Sequence, residues 1–300
     1  MPGPHIPIML AEVLERLRPS PGDVAVDCTL GGGGHALAIL ERLQPGGRLI
    51  GIDIDPFELP RAESRIRAAG FGPDTCQVRQ ASFADLAGVL ALEQVAEADV
   101  VLADLGVSSM QHDDPQRGFS YKVAGPLDMR MDPTRGEPAS ALLDRLDEAA
   151  LAATLSDNAD EPHAALIARV LKEKAPATTN ALERAVRTSL NAAHPDMSKA
   201  MVKMSVRRTF QALRIAVNGE LAALDALLRS LPQALGPGGR VAILTFHSGE
   251  DRRVKKAFQA GQRDGIYSAI ARQVVRSGRA ETFANRRAAA SKLRWAVRAQ

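Results

Sequence analysis

Three aspartates stand where apolar runs of the chain stop. These acids are Asp27 after residues 24–26, Asp53 after residues 48–52 and Asp104 after residues 99–103. Short apolar runs of this kind predict buried parallel strands. Ligands of open parallel sheets bind beyond the carboxyl ends of the strands, so we expect the three carboxylates to converge on one crevice. Carboxylates in such a place can accept hydrogen bonds from hydroxyl and amino groups.

A run of four glycines, residues 31–34, separates the first acid from an apolar stretch that begins at His35 and is typical of a helix. Gly31, Gly33 and Ala36 fit the G-x-G-x-x-G/A spacing, which permits a tight turn and close approach of a ligand to the backbone. Asp53 lies 22 residues after Gly31, where an acid is placed to bind ribose hydroxyls. A glycine cluster alone is equally compatible with a plain loop. Strand, turn, helix, second strand and acid together predict a nucleoside-binding site.

The charge of Asp27 bears on which nucleoside binds. A carboxylate at the end of the first strand would repel a pyrophosphate, whereas it would attract a cationic amino group. The sequence therefore favours S-adenosylmethionine over NAD as the cofactor, with Asp27, Gly31, Gly33 and Asp53 among its contacts.

The wider pattern predicts an α/β fold with a mostly parallel, doubly wound sheet. Strand patterns alternate with helical ones up to residue 104, no strong strand pattern occurs between about 110 and 238, and a fifth strand at 240–246 ends at His247. We interpret residues 1–110 and 207–300 as one sheet domain and residues 111–206 as an inserted all-helical domain. Further predictions are helices at 5–19, 139–155, 163–173 and 178–192, a long helix at 207–231 and a last edge strand at 293–297.

Composition and charge narrow the class of protein. The 300 residues are 45% hydrophobic and 24% charged, as in an ordinary globular protein, and no stretch is apolar enough for a membrane span. The chain has two cysteines, Cys28 and Cys76, which excludes a disulfide framework or a cysteine-rich zinc site. No cluster of His, Asp and Glu has a spacing that predicts a metal site. The few cysteines suit a reducing compartment, so we expect a cytoplasmic protein. Residues 201–300 carry a net charge of +13 and residues 1–200 one of −10, which favours a polyanionic partner such as nucleic acid.

Several longer motifs resemble one family. They are HIPIML (5–10), DCTLGGGGHA (27–36), GIDIDP (51–56), DLGVSSMQHDDPQRGFSYKVAGPLDMRMDP (104–133), RTFQALRIAVNGEL (208–221) and LGPGGRVAILTFHSGEDRRVKKAF (235–258). The chain is similar to the bacterial MraW family of ribosomal RNA small-subunit methyltransferases H. The resemblance implies a class I, Rossmann-like methyltransferase fold with a helical insertion. It also implies transfer of a methyl group from S-adenosylmethionine to N4 of a cytidine in the decoding region of 16S rRNA.

The resemblance also implies a set of site residues. The cofactor contacts carried over by motif are Gly33, Gly34, His35, Asp53, Phe83, Asp104 and Gln111. Asp53 would accept hydrogen bonds from the ribose hydroxyls, and Phe83 would stack on adenine. The implied partner is 16S rRNA within the small ribosomal subunit or its precursor; a homodimer is left open.

Methylation of a cytosine amine needs help because the nitrogen lone pair is delocalised into the ring. A group that accepts a hydrogen bond from the N–H favours a tetrahedral nitrogen, and the amine must also be held in line with the methyl group. The (Asp/Asn)-Pro-Pro-(Tyr/Phe) motif of many amino-methyltransferases is replaced here by DLGVSS (104–109), so amine methylation rests on the resemblance. The candidates for catalysis and substrate positioning are Asp104, Ser108, Ser109, His112, His247 and Ser248.

Basic residues are expected to hold the RNA through its phosphates. They are Arg117, Lys122, Arg130, Arg135, Arg207, Arg208, Arg214, Arg252, Arg253, Lys255 and Lys256. The chain departs from the family at Gly249 in HSGED, at MSVRRTFQA (204–212), at NADE (158–161) and in the tail. These departures keep two alternatives open, a divergent paralogue that methylates another RNA or amine and a catalytically silent factor in ribosome assembly.

Overall fold

The computed structural model describes residues 7–300. His5 and Ile6, which begin the first predicted helix, lie outside the described residues. Within them the helix runs over Leu10–Leu17, and its buried side chains Val13, Leu14 and Leu17 follow the helical period of the sequence.

Seven strands form one sheet in the order β3-β2-β1-β4-β5-β7-β6. The strands are β1 (Val24–Asp27), β2 (Arg48–Asp53), β3 (Cys76–Gln80), β4 (Ala98–Asp104), β5 (Leu235–Thr245), β6 (Tyr267–Ile270) and β7 (Lys292–Arg298). Strands β1 to β5 are parallel to one another, and β7 pairs antiparallel with both β5 and β6. The predicted mostly parallel, doubly wound α/β sheet is confirmed.

Helices cover both faces of the sheet or form the inserted segment. They are α1 (Leu10–Leu17), α2 (Gly34–Leu43), α3 (Glu58–Ala68), α4 (Leu86–Leu92), α5 (Ser109–Asp113), α6 (Ala139–Arg145), α7 (Glu148–Ala159), α8 (Ala164–Lys174), α9 (Thr179–Ala193), α10 (Lys199–Asn218), α11 (Glu220–Ala234), α12 (Ser248–Arg263) and α13 (Arg279–Ala284). Within residues 7–300, none of these helices has the length and apolar content to cross a membrane.

Alternate residues of each central strand enter two different hydrophobic cores, because successive side chains of a strand point to opposite faces. Val26, Ile50 and Val101 pack on the face that α4, α11 and α12 cover. Their neighbours Ala25 and Leu49 pack on the face covered by α1, α2 and α3. This burial on both sides explains why the strands are nearly uniform apolar runs in the sequence.

The chain divides into two compact units. The first consists of residues up to Gly106 and of Leu221–Gln300, and the second is Val107–Glu220. The predicted division placed the boundaries at 111 and 207, so the second unit begins four residues earlier and ends fourteen later. The later end follows from α10, whose buried side chains, Val202 to Leu213, belong to the core of the helical unit.

Several predicted elements differ in detail. The long helix predicted over 207–231 is two helices, because Gly219 adopts a left-handed conformation (φ 60°) that ends α10. The helix predicted over 139–155 is divided at Asp147, whose side chain accepts a hydrogen bond from the Ala150 N–H and starts α7. The strand predicted at 293–297 is β7, which is not an edge strand because β6 pairs with its outer side.

Candidate functional site

The glycine turn joins β1 to α2 through backbone that favours glycine. Gly31 and Gly33 have φ values of 47° and 73°, in the left-handed region. The Gly33 N–H donates to the Leu30 carbonyl (2.7 Å), and the Gly33 carbonyl accepts the N–H of Leu37 in the first turn of α2. A Cβ atom on Gly34 would lie 2.6 Å from Cγ of Pro7, so this position has no room for a side chain. The turn thus leads directly into the first turn of α2, whose N-terminal N–H groups and positive dipole end favour an anion or a polar ligand.

Asp53 connects the end of β2 to this turn. One carboxylate oxygen accepts the Gly31 N–H at 2.7 Å, and the other accepts the Asp55 N–H at 2.9 Å. Burial raises the pKa of Asp53, while these backbone hydrogen bonds oppose the rise. The carboxylate is held in one orientation at the crevice edge, and each oxygen retains a second lone pair for a ligand hydroxyl.

Asp27 is almost completely buried at the end of β1. Its Oδ1 accepts the Thr29 N–H at 3.1 Å, whereas its buried Oδ2 has no hydrogen-bond partner among the described residues. Burial raises the pKa of Asp27 to about 7, and the nearby charge of Asp53 adds to the rise.

Asp104 ends β4 and is less deeply buried than Asp27, with 25% of its side chain exposed. Its buried Oδ1 also has no hydrogen-bond partner among the described residues, and its Oδ2 lies 3.6 Å from Nδ1 of His35. The other ring nitrogen of His35 lies 3.0 Å from the Ile8 carbonyl oxygen, so the imidazole bridges the N-terminal segment and β4. Burial raises the pKa of Asp104 to about 8, with further contributions from the charges of Asp27 and Glu250.

The strand ends therefore form an acidic crevice, by which we mean Asp27, Asp53, Asp104 and Glu250 together. Unpaired buried carboxylate oxygens cost free energy in the folded protein, because burial removes water without supplying a donor. A ligand that brings positive charge and N–H or O–H donors would satisfy them. The ammonium group, the sulfonium centre and the ribose hydroxyls of S-adenosylmethionine meet this requirement, so the residues fit that cofactor.

His247 and Ser248 lie at the end of β5, where α12 begins. His247 caps this helix: its Nδ1 accepts the Glu250 N–H at 3.4 Å, and its Nε2 lies 3.2 Å from Oε1 of Glu250. Oε2 of Glu250 accepts the Phe246 N–H at 2.8 Å. The structure therefore gives the His247 imidazole a structural role in the helix cap, while Ser248 is exposed beside it.

Phe83 follows β3, whose last residue Gln80 pairs with Asp53 of the neighbouring strand. The phenyl ring packs on the edge of the hydrophobic core and stays partly exposed. A short 3-10 turn, capped by the Ser82 hydroxyl that accepts the Ala84 N–H at 3.2 Å, fixes its position. An aromatic face next to the end of β3, the strand that pairs with β2 at Asp53, is suited to an adenine ring.

The candidates Ser108, Ser109, Gln111 and His112 belong to the second unit. Ser108 and Gln111 form a capping box: the serine hydroxyl accepts the Gln111 N–H at 3.0 Å, and the glutamine Oε1 accepts the Ser108 N–H at 2.9 Å. Ser109 begins α5, and Nδ1 of His112 lies 3.3 Å from the Asp113 carboxylate. The amide oxygen of Gln111 thus has a local structural role.

Some arginines expected to meet RNA form bonds within the second unit. Arg130 makes a two-pronged contact with Asp128 (2.8 and 2.7 Å), and Arg214 makes another with Glu220 (2.8 and 2.9 Å). Arg117 donates to the carbonyl groups of residues 130 and 131. These guanidinium groups organise the loop and helix that carry them, which the sequence pattern did not distinguish from phosphate binding.

Two residues of the site were missed by sequence reasoning. The Thr29 hydroxyl accepts the Asp104 N–H at 2.6 Å, and the Thr29 N–H binds Asp27, so this residue links the two unsatisfied acids. Glu250 caps α12 and also adds negative charge next to Asp104. Both lie inside the quoted motifs, but only the fold shows that they contact the strand-end acids.

A sheet in this strand order, with a glycine turn after β1 and acids at the strand ends, defines a class I methyltransferase. The model of the MraW methylase family matches residues 3–299, and the chain belongs to that family. The methyl donor of this class of enzyme is S-adenosylmethionine.

Curated relatives match over almost the whole chain. Ribosomal RNA small subunit methyltransferase H 1 of Agathobacter rectalis is 42% identical, over 99% of this chain and 86% of that protein. Ribosomal RNA small subunit methyltransferase H 2 of Alkaliphilus metalliredigens is 44% identical over the same shares. Ribosomal RNA small subunit methyltransferase H of Sorangium cellulosum is 42% identical, over 98% of this chain and 90% of that protein.

Proposed function

We propose that this protein transfers a methyl group from S-adenosylmethionine to N4 of a cytidine in the decoding region of 16S rRNA, within the small ribosomal subunit or its precursor. The relatives are named as methyltransferases of small-subunit ribosomal RNA, which supports an rRNA substrate. The single observation that carries the proposal is the acidic crevice, in which Asp27 and Asp104 each keep a buried carboxylate oxygen without a partner among residues 7–300.

S-adenosylmethionine supplies an electrophilic methyl group on a sulfonium sulfur. The first unit would bind it through Asp27, Asp53, Phe83, the glycine turn (Gly31, Gly33, Gly34) and His35, with Gln111 of the second unit as a further proposed contact. Asp53 would hold the ribose hydroxyls, and the adenine would lie on Phe83. Asp27 would pair with the positive charge of the cofactor, since the residues that define the crevice are all acidic.

Asp104 is the proposed acceptor of a hydrogen bond from the exocyclic N–H of cytosine. Such a bond draws electron density onto the nitrogen and favours the tetrahedral shape that attack requires. His35, 3.6 Å from the other oxygen of the carboxylate, would hold Asp104 in one orientation. Ser108, Ser109, His112, His247 and Ser248 remain proposed positioning groups for the base, with His247 acting through the start of α12.

We further propose that the first unit binds the cofactor and that the helical unit recognises the RNA, in a cytoplasmic enzyme. A divergent paralogue is the second candidate, because Gly249 and the segment 204–212 depart from the family pattern and several relatives carry numbered names, H 1 or H 2.

The test is transfer of tritium from labelled S-adenosylmethionine to small ribosomal subunits that lack the modification, followed by digestion to nucleosides. Labelled N4-methylcytidine is the expected product. Label in another nucleoside would favour the paralogue, and binding of cofactor and subunits without transfer would favour the silent factor.

A further inference from the structure

A basic groove lies between α11 and α12, on the face of the sheet that the proposed chemistry does not use. Its volume is about 340 Å³, and it is lined by Asp225, Leu228, Arg229, Arg253, Lys256 and Ala257. The α11 residues have i, i+3, i+4 spacing, and so do those of α12, so each helix presents one stripe to the groove. Leu228 and Ala257 form an apolar floor beneath the charged groups.

Helices α11 and α12 carry charged residues at similar distances from the carboxyl edge of the sheet. The first turn of α12 starts three residues after the end of β5, and α11 leads directly into the other end of the same strand. Both helices therefore run away from the carboxyl edge of the sheet. Asp225 and Arg253 face each other nearer that edge, with the Arg253 Nε 3.3 Å from the carboxylate, while Arg229 and Lys256 stand about one turn (roughly 5.4 Å) further down.

The positively charged side chains of the groove are accessible to solvent. Arg229 and Lys256 are exposed and have no acidic partner among residues 7–300. The acids at the start of α12 do not neutralise them, because Glu250 binds His247 and Asp251 pairs with Arg294 (2.6 Å) and Lys292 (3.6 Å). Asp225 is the one acid in the lining, and it already pairs with Arg253.

We infer that this groove binds the phosphate backbone of the RNA substrate, a role that deepens the proposed function and rests on it. Arg229 and Lys256 hold one phosphate group. Asp225 competes with a second phosphate for the Arg253 guanidinium, which matches phosphate and carboxylate equally well in geometry. Arg253 lies nearer the carboxyl edge of the sheet than Arg229 and Lys256, so successive phosphates of an RNA strand leading away from the crevice can contact them in turn. Such contacts position the RNA without selecting its sequence.

The variants Arg229→Gln and Lys256→Gln, singly and together, test the inference, with Arg42→Gln on α2 as the control for the loss of one positive charge elsewhere. The probe is an rRNA fragment that the wild type methylates, titrated between 50 and 300 mM salt. The double variant is expected to lose about tenfold in affinity, and the slope of log affinity against log salt falls by about 0.7, the value for one phosphate contact. KM for RNA rises while kcat and the affinity for S-adenosylmethionine stay unchanged. Asp225→Asn is expected to bind RNA about threefold more tightly, because it releases Arg253.

A double variant with the affinity and salt slope of Arg42→Gln overturns the inference, and so does Asp225→Asn with unchanged or weaker binding. Polyglutamate serves as a probe for an acidic peptide. If the double variant binds RNA as the wild type does but no longer binds polyglutamate, the groove is assigned to an acidic protein segment instead. Failure of the proposed function is distinguishable, since the wild type would then transfer no methyl group to any rRNA fragment.

Discussion

The acidic crevice of the first unit and the segment 107–112 of the second unit both contain predicted site residues, and their polar groups are satisfied differently. In the crevice, Asp27 and Asp104 keep buried oxygens without partners among the described residues. In the segment, Ser108 and Gln111 bind each other in a capping box. The first arrangement costs stability until a ligand arrives, and the second contributes stability without one. The crevice thus offers polar atoms that a ligand can satisfy, whereas the capping box is complete by itself.

The substitution Asp104→Asn tests this difference with the largest expected effect. It removes the negative charge and replaces one acceptor oxygen by a donor, so we expect the rate of methyl transfer to fall about a hundredfold to a thousandfold. Single-turnover transfer to small subunits measures the loss, with Asp74→Asn on an exposed loop as the control. Near-normal methylation and cofactor affinity in Asp104→Asn would remove this residue from the mechanism.

The same variant makes a prediction about stability. A carboxyl group whose pKa is raised to about 8 in the folded state destabilises the fold progressively as pH rises from about 4 to 8. Asp104→Asn removes this destabilising charge. The free energy of unfolding of the unliganded variant should therefore exceed that of the wild type by about 1–2 kcal/mol at pH 8.5, and the difference should shrink toward pH 5. Urea unfolding at the two pH values measures it; a variant less stable at pH 8.5 would mean that the carboxylate supports the fold.

Asp27→Asn is expected to act on cofactor binding more than on the chemical step. Loss of a charged hydrogen bond of about 1.5–3 kcal/mol weakens affinity for S-adenosylmethionine about tenfold to a hundredfold. Calorimetric titration measures this change. An affinity equal to that of the wild type would show that Asp27 does not face the positive charge of the ligand.

Gly33→Ala and Gly46→Ala separate backbone strain from ligand binding. Both residues have positive φ values, 73° and 86°, so each alanine should destabilise the protein by about 1–2 kcal/mol. Gly46 precedes β2 at the opposite edge of the sheet, whereas Gly33 is part of the turn that also binds Asp53 through Gly31. Only Gly33→Ala should lower cofactor affinity, by about tenfold; equal affinities in the two variants would argue against a role for the turn in binding.

The smallest expected effects concern Gln111. The variant Gln111→Glu keeps an acceptor oxygen for the Ser108 N–H, whereas Gln111→Ala removes it and should cost about 1 kcal/mol of stability. If Gln111 also contacts the cofactor through its amide N–H₂ group, Gln111→Glu should bind S-adenosylmethionine a few-fold more weakly. Thermal unfolding and cofactor titration of both variants separate the two roles, and unchanged cofactor affinity in both would leave only the cap.

Local patterns predicted the crevice well because strand, turn and acid follow each other within a few residues. Asp27, Asp53 and Asp104 needed only the rule that parallel strands end at one edge. The pattern could not predict that Gly219 ends α10, since one backbone conformation decides it, or that β6 covers β7, since β6 is four residues long with a weak apolar pattern. Nor could it separate Arg130 and Arg214, which bind acids of their own unit, from Lys256, which is exposed and has no acidic partner among the described residues.

The central claim is that the acidic crevice binds a cationic cofactor, and proton release on binding tests it most directly. Titration of S-adenosylmethionine into the protein at pH 7, in buffers of different ionisation enthalpy, counts the protons released. Burial raises the pKa of Asp27 to about 7, and a cationic ligand beside this carboxyl lowers its pKa, so binding should release protons and affinity should rise between pH 6 and 7.5. Binding without proton release, with affinity flat over that range, would contradict the account.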